Sequence, residues 1–251
     1  MRLGELEMYY ITDRGLVRDE NQDRILFGRL KGYGYIFAVA DGIGGYSGGS
    51  IASSLAVKNI VKYLTNMRPQ EKNLKSSIYY ANDQIIKKAL ENEEISDMGS
   101  TICLVSLRKG ELYVLNAGDS RAYISSGEKL KQLSRDHSIV GSLVEKGLMT
   151  REEARTSSSN NEIYSALSIE NSKLQIAENR CEFRRGDVLL LCSDGLSNYF
   201  SDEELSDLLS RGSDLELLGD HMFRQVMKRG AEDNVSFILA SYGKEAGYGE
   251  R

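Results

Sequence analysis

Short apolar runs, alternating or continuous, recur at residues 6–12, 24–29, 33–40, 100–107, 111–117, 120–125, 174–183, 187–192 and 235–242. Their length and period predict β-strands. Two intervening stretches carry helical spacing instead. In one, Ile51, Leu55, Ile60, Val61 and Leu64 share a face; in the other, Leu74, Ile78, Ala81, Ile85 and Ala89 recur at intervals of three and four. Two more helices fit 202–211 and 214–229, with Ser201 and Ser213 as N-caps and Gly212 and Gly230 as stops. Lys109-Gly110 and Gly118-Asp119 read as tight hairpin separators. Helices thus come in adjacent pairs and strands in runs, which predicts an α+β fold with largely antiparallel sheet rather than a doubly wound one. Residues 138–161 are polar, with helical stretches at 140–147 and 151–155, and read as a surface insertion. No composition shift marks a domain boundary, so residues 1–242 are expected to form one domain and 243–251 a flexible tail.

Composition narrows the functional classes. The net charge of −5 and pI of about 5.3 leave no bulk basic field for nucleic acid or anionic lipid. The longest unbroken apolar stretch, Tyr35 to Ala40, is six residues, far short of the ~20 that span a bilayer. The N-terminus has no apolar signal core, so a cytoplasmic location without membrane partners is expected. Cys103, Cys181 and Cys192 are odd in number and irregularly spaced, as reduced core thiols are. His137 and His221 have no His or Cys at ligand spacing, which excludes a His/Cys zinc site.

The chemistry lies where the apolar runs stop. Asp41-Gly42 follows Tyr35 to Ala40, and Asp194-Gly195 follows Val188 to Cys192. Gly118-Asp119 follows Leu112 to Leu115, Asp233-Asn234 precedes Val235 to Leu239, and Asp23 precedes Ile25 to Phe27. Strand ends have little positional freedom, so these carboxylates can converge on one point. Their repulsion then calls for cations, and all-oxygen ligation selects hard ions such as Mg2+ or Mn2+. The pattern suggests a binuclear metal hydrolase. Singly the motifs say little: Asp-Gly is an ordinary hairpin turn, and Arg18 alone reads as a surface cation. The glycine run 42–49 lacks the Lys-Ser/Thr of a P-loop. Asp136-His137-Ser138 is not a catalytic triad, because triads assemble in space rather than along the sequence.

Jointly they are specific. In order the chain carries Arg18-x-x-Asn21-Gln22-Asp23, Asp41-Gly42-Ile43-Gly44-Gly45, Gly99-Ser100-Thr101, Gly118-Asp119-Ser120-Arg121, Arg135-Asp136-His137-Ser138, Ser193-Asp194-Gly195-Leu196 and Asp233-Asn234. This resembles the metal-dependent protein phosphatases, the type 2C serine/threonine phosphatases, and especially their compact bacterial members, over Met8 to about Tyr242. The resemblance implies a four-layer αββα sandwich of two mostly antiparallel sheets flanked by helix pairs, with residues 138–161 as a flap. It further implies hydrolysis of phosphoserine and phosphothreonine by direct attack of a hydroxide bridging two Mn2+ or Mg2+ ions. Asp41 matches the bridging carboxylate and the Gly42 carbonyl a ligand of the second ion; Asp194 and Asp233 match ligands of the first. Asp23 matches the residue that orients a water, Arg18 the one that holds the substrate phosphate, and Asp119 the ligand of a third, weaker site. Asn234 is expected to support its loop. The implied partners are phosphorylated proteins, including a Ser/Thr kinase that the enzyme opposes. Two alternatives are a non-catalytic phosphoprotein-binding member of the fold and a phosphatase dedicated to an anti-sigma-factor antagonist. The chain departs from the pattern in three places. Ile43 stands where many eukaryotic relatives have His, and the flap ends in Thr156-Ser157-Ser158-Ser159 and Ser165-Ala166-Leu167-Ser168, without the usual His-Pro and Arg-Ala-Leu-Gly.

Overall fold

The computed structural model describes residues 1–45, 48–168, 173–210 and 214–243. In chain order the strands are β1 (Arg2–Leu3), β2 (Leu6–Asp13), β3 (Arg24–Leu30), β4 (Gly34–Ala40), β5 (Gly42–Ile43), β6 (Gly99–Ser100), β7 (Ile102–Arg108), β8 (Glu111–Ala117), β9 (Arg121–Ser126), β10 (Lys129–Gln132), β11 (Leu167–Ser168), β12 (Ala177–Glu182), β13 (Val188–Cys192) and β14 (Val235–Tyr242). The helices are α1 (Gly48–Asn66), α2 (Lys72–Leu90), α3 (Ile139–Glu145), α4 (Arg151–Arg155), α5 (Asp194–Ser197), α6 (Asp202–Ser210) and α7 (Leu215–Lys228).

Two sheets face each other, one in the order β1-β2-β14-β13-β9-β10 and the other β12-β8-β7-β4-β3, with a small third sheet β11-β6-β5. Among the described residues every strand pairing is antiparallel.

Period-two alternation builds the layers. Phe37, Val39, Cys103, Val105, Leu189, Leu191 and Ile238 point between the sheets. Their sequence neighbours Ile36, Ala38 and Leu104 point outward under α1 and α2. Likewise Val188, Leu190, Phe237 and Leu239 point outward under α6 and α7. Both faces of the central strands are therefore buried, which is why their sequences read as unbroken apolar runs. The outcome is the αββα sandwich expected.

Some local expectations shift. The inward face of α2 is Leu74, Ile78, Ala81, Ile85 and Ala89, as predicted, whereas α1 buries Ala52, Ala56, Ile60 and Leu64 most deeply. Ile51 and Leu55 only flank that face, and Val61 is half-buried. The alanines let α1 lie close on the sheet, so its inward face is narrower and less bulky than apolar size alone suggests. Lys109-Gly110 is a hairpin turn with both residues at positive φ (54° and 76°). Gly118-Asp119 is not a hairpin: it carries the chain from β8 in one sheet to β9 in the other. The run predicted at 174–183 narrows to β12, and polar β10 was invisible to the apolar pattern. The predicted helix at 140–147 lies one to two residues earlier, as α3. Of the predicted tail, residues 244–251 lie outside the described residues, as do Gly212 and Ser213.

Helix α6 starts on Ser201 as expected, in a reciprocal pair: Glu204 N–H donates to Ser201 Oγ (3.1 Å) and Ser201 N–H to Glu204 Oε2 (2.9 Å). The N-cap of α7 is Asp214 rather than Ser213; its Oδ1 accepts from the amides of Glu216 (3.0 Å) and Leu217 (3.1 Å). Cys103 and Cys192 are buried free thiols and Cys181 is a half-buried one. Burial pushes the Cys192 thiol up to about 12, which leaves it inert.

Asp214→Ala should lower stability by about 1 kcal/mol, read as a fall in the thermal midpoint, with Asp214→Asn close to wild type. Equal loss in both variants would show that the cap is not what α7 needs.

Candidate metal centre

Strand direction decides what meets at one edge of the sandwich. β4 and β8 run parallel to each other, separated by antiparallel β7, and so end at the same edge, where β3 and β7 begin. In the other sheet β13 ends beside the start of β14. Asp41 follows β4, Asp119 follows β8 and Asp194 follows β13, while Asp23 precedes β3 and Asp233 precedes β14. A cleft of about 1000 Å³ opens at this edge, lined by Arg18, Asp41, Gly42, Asp119, Asp194 and Asp233 among others. Asp23 stands behind its wall, 1% exposed.

Each carboxylate is held by the local fold. The Asp41 amide donates to Thr101 Oγ1 (3.0 Å), and the Thr101 amide returns a bond to Asp41 O (2.8 Å). Ser193 Oγ donates to Asp23 Oδ2 (2.8 Å), and Asn198 Nδ2 donates to Asp194 Oδ2 (3.3 Å). Asp233 Oδ2 accepts from Arg18 Nη2 (2.9 Å) at the cleft mouth. Asn234 supports its loop as expected: Nδ2 donates to Arg14 O and Glu20 O (both 2.9 Å), and Oδ1 accepts from the Gln22 amide (2.8 Å). It thereby fixes the segment that carries Arg18. Backbone meets backbone along the floor: a Cβ on Gly42 would lie 2.3 Å from Gly49 O, and one on Gly195 would lie 1.9 Å from Asn234 O.

The electrostatics are lopsided. Burial, then repulsion from Asp23, Asp194, Asp119 and Asp233, holds the Asp41 carboxyl well above the usual carboxylate range. Asp119 is raised in the same way, by burial and then by Asp194 and Asp136. Burial raises Asp194 with help from Asp233, against a hydrogen bond with Asp41 that pulls it down. Asp23 is pushed up to about 7, chiefly by burial; bonds from Ser236 and Ser193 oppose this, and Asp194 and Asp233 add to it. Asp23 Oδ1 and Asp194 Oδ1 are buried with no hydrogen-bond partner. Orphaned anionic oxygens in a crowd of acids are what a divalent cation satisfies, and an all-oxygen donor set suits Mn2+ or Mg2+. The residues therefore fit such ions. Among the described residues no three acidic, imidazole or thiol groups form a closed ligand cluster, which is looser than the single point of convergence expected. So open a donor set leaves room for water among the ligands of a divalent ion, as is usual for Mg2+.

Several participants escaped the sequence pattern. Asp97 lines the cleft beyond Gly45 without any motif. Asn198 lies one helical turn after Asp194, an i,i+4 relation that could have flagged it. Asp119 and Asp194 also line a second cavity of about 430 Å³ whose other wall includes Val140, Thr150, Ala154 and Asn160 of the 138–161 segment.

The protein phosphatase 2C family profile matches residues 17–240. The chain is 32% identical to "Serine/threonine phosphatase stp" of Listeria welshimeri, over 91% of this chain and 92% of that protein. Its fold is similar to that of the serine/threonine phosphatase Stp1 from Staphylococcus aureus, with a TM-score of 0.85 and 30% identity, covering 97% of this chain and 98% of that one. It is also similar to the catalytic domain of the phosphatase PstP in complex with two manganese ions, with a TM-score of 0.81 and 28% identity, covering 94% of this chain and 97% of that one.

In chelator, Asp23 keeps its proton to about pH 7 in the folded chain, whereas an unfolded aspartate releases it near about 4. Between those values the folded state binds more protons than the unfolded one, so stability should fall as pH rises. Burial lowers His137, whose contribution therefore has the opposite sign. Asp23→Asn retains His137 and removes both the Asp23 titration and its push on Asp41, which carry the same sign. The thermal midpoint should decline from about pH 5 to 7.5 in wild type and less steeply in Asp23→Asn. Matching slopes would remove Asp23 from the account.

Proposed function

The chain belongs to the protein phosphatase 2C family and is a metal-dependent protein serine/threonine phosphatase; from that premise we propose how its own residues divide the work. Asp41, Asp194, Asp233 and the Gly42 carbonyl are assigned to two divalent ions, and Asp119 with Asp194 to a third, weaker one. Bound there, Mn2+ or Mg2+ supplies charge neutralisation for the phosphoryl dianion and a water acidified to near-neutral pKa. The observation that carries the assignment is the buried, unpartnered Asp194 Oδ1 amid the carboxyls of Asp41, Asp119 and Asp194, raised by burial and then by mutual repulsion.

The remaining steps belong to the protein. Arg18, on a loop that Asn234 pins at both ends, offers a planar fork to two phosphoryl oxygens at the cleft mouth. Asp23, held by Ser193 from behind the wall, keeps a free Oδ1 with which to orient a water. Ile43 lines the cleft without a titratable group, so the leaving seryl or threonyl oxygen takes its proton from water rather than from that position. Residues 1–242 act as one catalytic unit with 138–161 as its flap. The reading extends to phosphorylated proteins as substrates, to a Ser/Thr kinase as the opposing enzyme, and to the cytoplasm as location. No helix of the described residues is long and apolar enough to cross a membrane.

Hydrolysis of p-nitrophenyl phosphate and of a phosphothreonine peptide should vanish in EDTA and return with Mn2+ more fully than with Ca2+, whose longer bonds suit such a site poorly. At saturating Mn2+, Asp41→Asn and Asp194→Asn should lose about hundredfold or more in kcat with the fold retained, at least the penalty seen for lost metal-supporting groups. Full activity in excess chelator would sink the two-ion reading.

Arg18→Ala should raise KM more than it lowers kcat, since a contact made in both ground and transition states is what disappears. A charge-assisted bidentate contact is worth on the order of 2 kcal/mol, or roughly thirtyfold in kcat/KM. Arg18→Lys should recover only part of it, keeping the charge but not the fork. Wild-type kinetics in the alanine variant would return Arg18 to the surface.

A further inference from the structure

Asp136-His137-Ser138, not a catalytic triad, has no role in the proposed reaction, yet His137 is 2% exposed. Its Nδ1 accepts from the Gly118 amide (3.3 Å), and its own amide donates to Gly118 O (3.0 Å). Gly118 is the residue before Asp119 and sits at φ +102°, with Thr101 so close that a Cβ would meet it at 2.6 Å. The turn that aims Asp119 is thus gripped on one side by Thr101 and on the other by His137. Beside it, Asn116 Nδ2 donates to Arg135 O (2.6 Å), and Asn116 Oδ1 accepts from the Arg135 amide (3.0 Å). Asp136 is locked to Arg121 through Oδ2 (2.7 Å) and takes a bond from Gln132 Nε2 (2.7 Å).

His137 faces the flap as well. It directly precedes Ser138, the N-cap of α3, and its carbonyl accepts from the Tyr164 amide (2.9 Å) where the flap returns. Its ring lies against that of Tyr164 (5.7 Å between centroids), and Ser138 pairs with Ile163. Ile163 and Ala166, on the returning segment, form a wall of the cleft.

We infer that His137 is a positioning residue, which ties the Asp119 turn and the flap wall of the cleft into one rigid piece through the acceptor bond from Gly118. The inference rests on the phosphatase reading of the cleft. What matters on this account is an acceptor at Nδ1, since without one the buried Gly118 amide has no partner and the turn is free to tilt.

Asparagine can present a carbonyl oxygen near the Nδ1 position; glutamine extends it toward Nε2, and leucine fills the space without an acceptor. Mn2+ binding by paramagnetic resonance, and kinetics on p-nitrophenyl phosphate and on a phosphoprotein, separate the cases. His137→Gln and His137→Leu should weaken the weakest Mn2+ site roughly tenfold, as expected for a lost supporting bond. They should also raise KM for the phosphoprotein more than for the small ester, and His137→Asn should restore most of both. The effect on Mn2+ should vanish in an Asp119→Asn background, where that ligand is already lost. If leucine fails to fold, the asparagine and glutamine pair still decides. Equal behaviour of those two, or a Mn2+ effect that survives Asp119→Asn, would overturn the inference. An inactive wild type would instead overturn the phosphatase reading itself.

Discussion

Like charges fixed at close range by strands that cannot move apart are the constraint on which this molecule turns. Asp23, Asp41, Asp119, Asp194 and Asp233 are attached to strand ends in two sheets, and the sheets are locked together by Phe37, Val39, Leu189, Leu191 and their neighbours. Backbone motion cannot relieve the repulsion without opening that layer. Relief has to come from protons or cations, and burial first, then this repulsion, raises the carboxyl pKa values in favour of protons. The central core is therefore part of the site: its rigidity is what keeps the acids together and the edge receptive to cations.

Much of this was legible because both signals are local. An apolar run that stops at an acid tells of a strand and of the residue it presents, and β4 with Asp41 and β13 with Asp194 follow that rule. The helix pairs were legible from spacing, α2 almost residue for residue. What stayed hidden depends on partners far along the chain. Whether Gly118-Asp119 folds back or crosses to the other sheet is decided by pairing between β9 and β13, whose partners, Ser125↔Val188 to Arg121↔Cys192, lie 63 to 71 residues apart. The deep face of α1 is set by how closely Ala52 and Ala56 let it approach, not by which residues are largest. Ser213 and Asp214 are both good caps one residue apart, and sequence cannot rank them. Asp97 reaches the cleft beside Gly45, next to Met98, which packs against Gly48 at the start of α1, a tertiary placement with no motif.

The family resemblance supplies the expected ligand roles, and the structure adds how the surroundings hold those side chains. Thr101 binds the Asp41 backbone in both directions and also hydrogen-bonds Ser120, next to Asp119, so one side chain serves two acids. Asn234 directs both amide protons and its carbonyl oxygen to the segment around Arg18. The flap, though polar and peripheral in sequence, is rooted in the same cluster through Asn116, Asp136 and His137. A shift of that segment is thereby transmitted to the Asp119 turn, because the groups behind both are bonded to each other.

The cleft floor has one further implication. At Gly42 and Gly195 a single added carbon would fall inside the contact distance of a main-chain oxygen, and no side-chain rearrangement can make room. By contrast, Val17 on the rim is more than half exposed. Descendants of this sequence can rewrite the rim one substitution at a time, while the floor admits no intermediate step. Divergence in this lineage is thereby channelled toward new targets and away from new chemistry.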